Sequence, residues 1–320
     1  MELDKVAGQQ GDTPGAPSPS GGVPRAGLIR GDRLISIWKA VAFLFVMIEV
    51  APRITSIVVL LPLNAMGGGA AVFVLPLLEG LNFAVLLGAC LLIARLEDRP
   101  VGAYGLPWKG AFGQNFWLGF LLGLAEISVL IGVISAFRGY SFGALALRGS
   151  EIAGWGLFHL ALFLCVGLYE EFLFRGYAQL ALSEGIGFWP AAILLSLSFG
   201  YMHLSNAGEN WVGAAGVAIV GLLFAFTLKR TGNLWYAVGL HMSFDWGETF
   251  LYSVPNSGEV LRGHLSNALL QGPTWLTGGT VGPEGSVFCF VTMGLQFLVV
   301  MWLFPGKKEE AVREMEGLQN

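Results

Sequence analysis

The chain has 320 residues, of which 54% are hydrophobic and only 12% are charged, and its formal net charge is -4. Soluble domains carry about 25% charged residues, so this composition excludes an ordinary soluble fold and indicates an integral membrane protein. The slightly acidic balance argues against a nucleic-acid partner, because such proteins present a basic face. Cys90, Cys165 and Cys289 lie in apolar runs, and their spacing fits neither a zinc finger nor a disulfide framework.

Both ends of the chain are polar. Residues 1–31 are rich in Gly, Pro, Ser and Gln and contain no apolar run that could offset the entropy lost on ordering. We therefore predict a disordered N-terminal tail at 1–31, and this tail lacks the pattern of a secretory signal peptide. Residues 32–306 are predicted to form a transmembrane helical domain with a motif-bearing core at about 152–252, and residues 307–320 a charged C-terminal tail.

Eight apolar segments follow the N-terminal tail, and most have the length of about 20 residues that a helix needs to cross a bilayer. They predict an all-α, polytopic integral membrane protein whose functional site lies in the core of the helix bundle. The predicted spans are Leu34–Leu61, Ala70–Ala94, Phe116–Phe137, Ile152–Leu182, Phe188–His203, Trp211–Leu228, Leu234–Tyr252 and Val287–Phe304.

The distribution of Lys and Arg predicts the orientation, because basic residues are retained on the cytoplasmic side. With eight spans, four basic clusters fall on one side: Arg25, Arg30, Arg33 and Lys39; Arg95, Arg99 and Lys109; Lys229 and Arg230; and Lys307, Lys308 and Arg313. We therefore predict a plasma-membrane protein in which an even number of spans places both termini in the cytoplasm and the loop Ser253–Gly285 outside. Arg138 and Arg148, after the third span, do not follow the rule.

The fourth apolar segment contains three charged residues, Glu170, Glu171 and Arg175. A charge at the centre of a membrane helix costs about 2.5 to 3.5 kcal/mol even on lenient scales, so these side chains need partners. Arg175 follows Glu171 by one helical turn, in the order that favours an ion pair. Glu170 points about 100° away. We therefore predict that Glu171 and Arg175 form a structural pair and that Glu170 is available to other groups.

Three further ionisable residues are predicted to lie at the depth of Glu170. A turn at Ile186 joins the fourth and fifth segments as an antiparallel hairpin, and Glu170 and His203 lie at nearly equal separations before and after it. Both are then about 24 to 26 Å from the turn. His241 and Asp245, on one face of the seventh segment, lie within a turn or two of this level.

Three motifs carry these residues, in this order and each on its own apolar segment: Glu170-Glu171-x-x-x-Arg175, Phe199-x-x-x-His203 and His241-x-x-x-Asp245. Their arrangement resembles the signature of the CAAX protease and bacteriocin-processing family, also called the Abi family, whose best-known members are the type II CAAX prenyl endopeptidases. The resemblance extends from about Ile152 to Tyr252. It implies an intramembrane endopeptidase that acts on a peptide or protein substrate in the bilayer without a covalent intermediate.

The resemblance also implies roles for individual residues. Glu170 would activate water as general base with the help of His203, and His241 and Asp245 would stabilise or orient the oxyanion. Asp245 stands where family members have Asn or Asp, and an Asp can donate a hydrogen bond only when protonated. The catalytic candidates are therefore Glu170, His203, His241 and Asp245, and the candidates for structural support are Glu171, Arg175 and Phe199. No cofactor is implied.

Two alternatives remain open at the level of sequence. A non-catalytic membrane protein, such as a bacteriocin-immunity or transport-accessory factor, can be built on the same fold. Two histidines and two carboxylates could also bind zinc as in a metalloprotease, although the helical His-Glu-x-x-His pattern is absent. A peptidase substrate could be a CAAX-like C-terminus or a leader peptide. Glu49 and Glu126 are interpreted as polar packing groups, and His159 as a residue at the membrane interface.

Overall fold

The structure is a computed structural model that describes residues 26–66 and 74–306. The first helix begins at Ala26, so residues 26–31 are helical although the sequence predicts them to belong to the tail. Gly27 and Gly31 do not favour a helix by themselves, so this stretch is helical as an extension of the adjoining apolar helix, because adding residues to an existing helix costs less than starting one. The rest of that tail, the predicted start of the second span at 70–73 and the charged tail at 307–320 lie outside the described residues.

Most of the described chain is helical. The helices are α1 (Ala26–Phe45), α2 (Ala51–Met66), α3 (Leu75–Leu96), α4 (Gln114–Ala136), α5 (Ser150–Phe172), α6 (Ala178–Ile186), α7 (Phe188–His203), α8 (Trp211–Thr231), α9 (Trp235–Trp246), α10 (Thr274–Thr277) and α11 (Val287–Leu303). Three π-helical segments continue or join them, at Val46–Val50, Leu173–Tyr177 and Gly247–Leu251. Two short strands, β1 (Tyr140–Ser141) and β2 (Leu269–Leu270), pair antiparallel.

Five described helical segments are long and apolar enough to cross a membrane: Gly31–Val59, Leu75–Leu96, Gln114–Ala136, Ser150–Ile186 and Trp211–Thr231. The helix Val287–Leu303 is apolar but shorter. The prediction of an all-α, polytopic membrane protein is therefore confirmed, whereas the count of eight spans is not. The difference arises at α7, α9 and α11, which have 16, 12 and 17 residues and are shorter than the helix of about 20 residues that typically crosses a bilayer.

One end of the bundle gathers basic residues from separate parts of the sequence. Lys39 of α1 pairs with Glu97 after α3 at 2.8 Å, and Arg99 pairs with Glu184 of α6 at 2.9 Å. The turn between α8 and α9 lies at the same end of the bundle, because the N–H of Leu234 donates to a backbone carbonyl of the connection after α3 at 2.8 Å. Three of the basic clusters that the topology prediction places together therefore lie at the same end. We call it the basic end.

The opposite end is covered by the connection from Ser253 to Ser286. Its strand β2 pairs with β1, and a further bridge joins Leu145 to Ser266. The connection is also fastened to the segment that follows His203, since the N–H of Gly208 donates to the carbonyl of Gly258 at 3.1 Å. The predicted outer loop is thus packed against the turn next to the second motif. We call this part of the molecule the loop end.

Candidate active site

The charged motif lies at a break in its helix. Helix α5 ends at Phe172, and a π-helical segment with a non-helical residue, Gly176 (φ -85°, ψ -120°), connects it to α6. The span predicted over Ile152–Leu182 is therefore bent at this point, within the apolar helical stretch Ser150–Ile186. A Cβ at position 176 would lie 2.8 Å from the ring of Phe172, so the close packing at this bend suits glycine. Such π-bulges are frequent at functional sites.

Arg175 and Glu171 form a fully buried ion pair at this break. Their charged atoms are 3.3 Å apart, and their side chains are 1% and 0% exposed. The guanidinium group lies 4.4 Å from the ring centre of Phe199 and 5.5 Å from that of Phe224, so cation–π contacts replace part of its lost hydration. Gly221 of α8 leaves room for the same group, because a Cβ there would collide with Arg175.

His241 of α9 lies among three carboxyl groups. Its Nδ1 is 3.0 Å from Oε1 of Glu171, and since an ionised carboxylate only accepts hydrogen bonds, Nδ1 is the donor. Its Nε2 lies 3.7 Å from Oε2 of Glu170 and 3.4 Å from Oδ2 of Asp245. The imidazole also stacks on Phe224 with ring centres 5.5 Å apart. These contacts fix the plane of the imidazole ring, so that Nε2 is the nitrogen that faces Glu170.

Glu171 therefore has a second partner that the sequence does not predict. The spacing of four residues assigns it to Arg175 alone, but Oε1 of Glu171 also accepts from His241. The first and third motifs are thereby connected through one carboxylate oxygen. The division into a structural Glu171 and an available Glu170 holds in part, because Glu170 makes the longer contact with His241 and keeps a side chain that is 25% exposed.

His203 is oriented by the backbone of its own helix. Its Nδ1 lies 2.8 Å from the carbonyl oxygen of Phe199, which can only accept, so Nδ1 carries the proton. In the neutral imidazole Nε2 is then the acceptor. The ring of Phe199 meets that of His203 edge to face at 4.7 Å, which restricts rotation of the imidazole. Phe199 thus contacts both Arg175 and His203.

All four catalytic candidates line one cavity of about 300 Å³. Glu170 comes from α5, His203 from the end of α7, and His241 and Asp245 from α9. The sequence predicts that these residues lie at one depth, and their side chains do line the same cavity. The cavity continues toward the loop end, where Asn206, Ser257 and Glu284 form part of its wall.

The sequence model of the family described as type II CAAX prenyl endopeptidase Rce1-like matches residues 152–247. The resemblance of this region to the CAAX protease family is confirmed. No curated protein and no solved structure matches the chain. The Rce1-like region extends from α5 to the beginning of the π-helical segment after α9, and it contains all seven candidate residues. Because the family is a protease family, the match supports a hydrolase in a multi-pass membrane protein.

Several residues of the site were not singled out from the sequence. Phe224 lies in an apolar segment and has no pattern that would distinguish it from packing residues. Glu284 and Ser257 belong to the connection at the loop end, whose docking cannot be read from local spacing. Glu248 had a signal, since it is an acid within the apolar segment Leu234–Tyr252. Its side chain is completely buried, three residues after Asp245.

Two glutamates outside the spanning helices, Glu284 and Glu209, have raised pKa values. Burial and, to a lesser extent, the nearby Asp245 raise the pKa of Glu284 to about 7, while hydrogen bonds from Ser257 oppose the shift. The N–H and hydroxyl of Ser257 donate to Oε2 of Glu284 at 2.5 and 2.9 Å. Burial also raises the pKa of Glu209, and a hydrogen bond from the backbone of Asn210 opposes it.

Three other polar residues of the apolar segments have different surroundings. Glu49 forms an exposed ion pair with Arg53 at 2.6 Å and does not line the cavity. Glu126 is buried and does line it. His159 is completely buried beneath the loop end, and its Nε2 lies 3.0 Å from the carbonyl oxygen of Arg262. The connection at the loop end thus covers His159, and its interpretation as a residue at the membrane interface stays a prediction.

The side chains that the zinc alternative would use do not form a preassembled metal site. Within residues 26–66 and 74–306, no three His, Cys, Asp or Glu side chains are placed to hold one metal ion. Nδ1 of His203 faces a backbone carbonyl and Nδ1 of His241 faces a carboxylate oxygen, so each imidazole has only Nε2 left as a potential ligand. The zinc alternative stays a prediction that a chelator tests.

Proposed function

We propose that this protein is an intramembrane endopeptidase that hydrolyses a peptide bond with water activated by Glu170 and His203. The observation that carries the proposal is the convergence of Glu170, His203, His241 and Asp245 on one cavity within the Rce1-like region. A base, an acceptor that orients water and a group that stabilises the oxyanion are the requirements of amide hydrolysis by a non-covalent route.

In the first step, water attacks the carbonyl carbon of the substrate and transfers a proton to the carboxylate of Glu170. His203 accepts a hydrogen bond from the same water through Nε2, since its Nδ1 is occupied by the carbonyl of Phe199. The carbonyl oxygen becomes the oxyanion of a tetrahedral intermediate. In the second step, the C–N bond breaks and Glu170 returns the proton to the departing amine, so no covalent intermediate forms.

His241 supplies the stabilisation of the oxyanion in this proposal. Its Nδ1–H is fixed by Glu171, which directs Nε2 toward the position between Glu170 and Asp245. A proton on Nε2 can then be donated to the developing oxyanion, a contribution that is large in a site that excludes water. Asp245 orients the ring rather than donating itself, which suits the presence of Asp at a position where an Asn would donate directly.

A cleavage assay on the full-length chain in proteoliposomes tests the proposal. We expect His203→Ala to lower the rate of peptide cleavage by about 100-fold or more, which is the usual contribution of an acid–base group. His264→Ala is the matched control, because His264 lies at the loop end and does not line the cavity. The activity should persist in the presence of a chelator.

Two results would contradict this proposal. Cleavage by His203→Ala at the wild-type rate would remove the imidazole from the mechanism, and loss of activity on chelation would favour the zinc alternative. A cellular phenotype that survives both His203→Ala and Glu170→Ala would instead favour a non-catalytic immunity or transport-accessory role. The natural substrate class, a CAAX-like C-terminus or a leader peptide, would follow from the cleavage products.

We also propose a plasma-membrane location in which the basic end faces the cytoplasm and the active-site cavity opens toward the outside. The support is the retention rule for Lys and Arg together with their concentration at one end. Cysteines introduced at Trp108 and Val260, which are 91% and 69% exposed at opposite ends, provide the test. An impermeant thiol reagent added to intact cells should label Val260→Cys and not Trp108→Cys. The reverse result would invert the topology.

A further inference from the structure

The cavity that contains the active-site candidates is strongly acidic. Six carboxyl side chains line it, and no Lys or Arg of the described chain does. The six are Glu79, Glu126, Glu170, Asp245, Glu259 and Glu284. The proposed hydrolysis uses two of them, Glu170 and Asp245, and leaves four without a role. A cleft whose walls carry one sign of charge concentrates ligands of the opposite sign.

A seventh carboxyl group lies behind the wall at the loop end. Glu248 is completely buried, and neither of its carboxyl oxygens has a hydrogen-bond partner among the described residues. Its carboxyl group interacts electrostatically with Glu284, Asp245 and Glu209, so it is directed at the acidic cluster. Burial of an unpartnered carboxyl group is unfavourable. A cation that enters the cavity from outside the chain would offset this cost.

The spacing of the acids favours an organic cation over a metal ion. A metal ion must draw several oxygens to within coordination distance, and no three suitable side chains of the described residues are placed in that way. An ammonium or guanidinium group instead carries several N–H donors that can reach separate acceptors. The cavity wall also includes Val220, Phe244 and Met293, against which an aliphatic side-chain stem can pack.

We propose that the end of the cavity formed by Asp245, Ser257 and Glu284, with Glu248 behind it, binds a Lys or Arg side chain of the peptide substrate close to the bond that is cleaved. This inference rests on the proposed function and names the substrate class. Oε2 of Glu284 accepts from both the N–H and the hydroxyl of Ser257, which holds the carboxylate in one orientation. The same end contains Asp245, which contacts His241, so specificity pocket and catalytic groups share one wall.

A peptide library cleaved by the full-length chain in proteoliposomes tests the inference. Decapeptides randomised at their central positions are incubated with the protein, and the products are sequenced by mass spectrometry. We expect Lys and Arg to be enriched over norleucine by about 10- to 100-fold at one position near the cleaved bond, the usual contribution of a hydrogen bond to a charged group. This measurement on the wild type does not depend on the folding of any variant.

Two variants then test whether Glu284 is responsible for the preference for Lys and Arg. Glu284→Gln should lower the ratio of cleavage of a Lys peptide to that of its norleucine counterpart by about tenfold or more. Glu151→Gln is the matched control, because Glu151 is an exposed acid at the same end of the molecule that does not line the cavity. It should keep the wild-type ratio. Equal cleavage of both peptides by the wild type, or an unchanged ratio in Glu284→Gln, would overturn the inference.

The pH dependence of the same ratio separates recognition by charge from a merely structural role of Glu284. Burial, with the charge of Asp245 adding to it, raises the pKa of Glu284 to about 7. The groups that face it are Asp245, Glu209, Glu248 and the Ser257 donors. The ratio should rise as the pH increases through about 7, because the carboxylate becomes charged, and this rise should be absent in Glu284→Gln.

The library also separates failure of this inference from failure of the proposed function. Cleavage that is equally strong in wild type and Glu170→Gln would not come from the proposed site, and both proposals would then fail. Cleavage that depends on Glu170 but shows no preference for Lys or Arg would leave the peptidase proposal intact and contradict the basic-residue pocket alone.

Discussion

Glu170→Gln should lower the rate of peptide cleavage by about 100- to 10,000-fold, because the amide has nearly the shape of the carboxylate but cannot accept the proton of the attacking water. The loss should appear in kcat more than in KM, since Glu170 acts on water and makes no required contact with bound substrate in the ground state. Steady-state cleavage of one peptide from the library, in proteoliposomes, measures both quantities.

The fold should survive this substitution. Glu170 has a side chain that is 25% exposed to the cavity, and its contact with Nε2 of His241 is a long 3.7 Å. Glu49→Gln provides the matched control: Glu49 is also an acid in an apolar segment, but it pairs with Arg53 away from the cavity. Equal activity of Glu170→Gln and Glu49→Gln would show that the base has been assigned wrongly.

Local spacing was sufficient to predict much of this site. An acid and a base one turn apart on a helix lie on the same face in any regular helix, so the contact between Glu171 and Arg175 follows from sequence. Antiparallel hairpins likewise place residues at equal separations from a turn at the same depth, which brings Glu170 and His203 to one cavity. These relations need helix geometry and turn positions, and both can be predicted from the lengths of the apolar segments and the Gly-containing breaks between them.

Contacts between distant segments could not be predicted in this way. The break after Phe172 changes the direction of α6 and depends on packing around Gly176. The second hydrogen bond of Glu171, to His241, depends on the rotation of α9 about its axis, which a small difference in helix packing alters. The docking of Glu284 beside the site depends on a long connection without regular structure. Each of these features is set by tertiary contacts that leave no periodic signal.

Arg175→Met should lower the free energy of unfolding by about 3 to 5 kcal/mol, because it leaves the carboxylate of Glu171 buried without its cation. Both side chains of this pair are shielded from solvent, at 1% and 0% exposed. Arg53→Met is the matched control: its pair with Glu49 has 69% and 46% exposed side chains, and exposed pairs contribute less than about 1 kcal/mol. Denaturant titration of the protein in detergent micelles measures the difference.

A double-mutant cycle decides whether the effect of Arg175→Met comes from the unpaired charge or from lost packing against Phe199. Glu171→Gln removes the charge and keeps an oxygen that can accept from His241. If the charge is responsible, the double variant Glu171→Gln, Arg175→Met should recover most of the lost stability, with a coupling of about 1 to 3 kcal/mol. Additive losses would instead assign the effect to the contact between the guanidinium and the ring of Phe199. Recovery of stability without recovery of cleavage would show that Glu171 and Arg175 also align His241 for the reaction, since Gln binds the imidazole Nδ1–H more weakly than a carboxylate does.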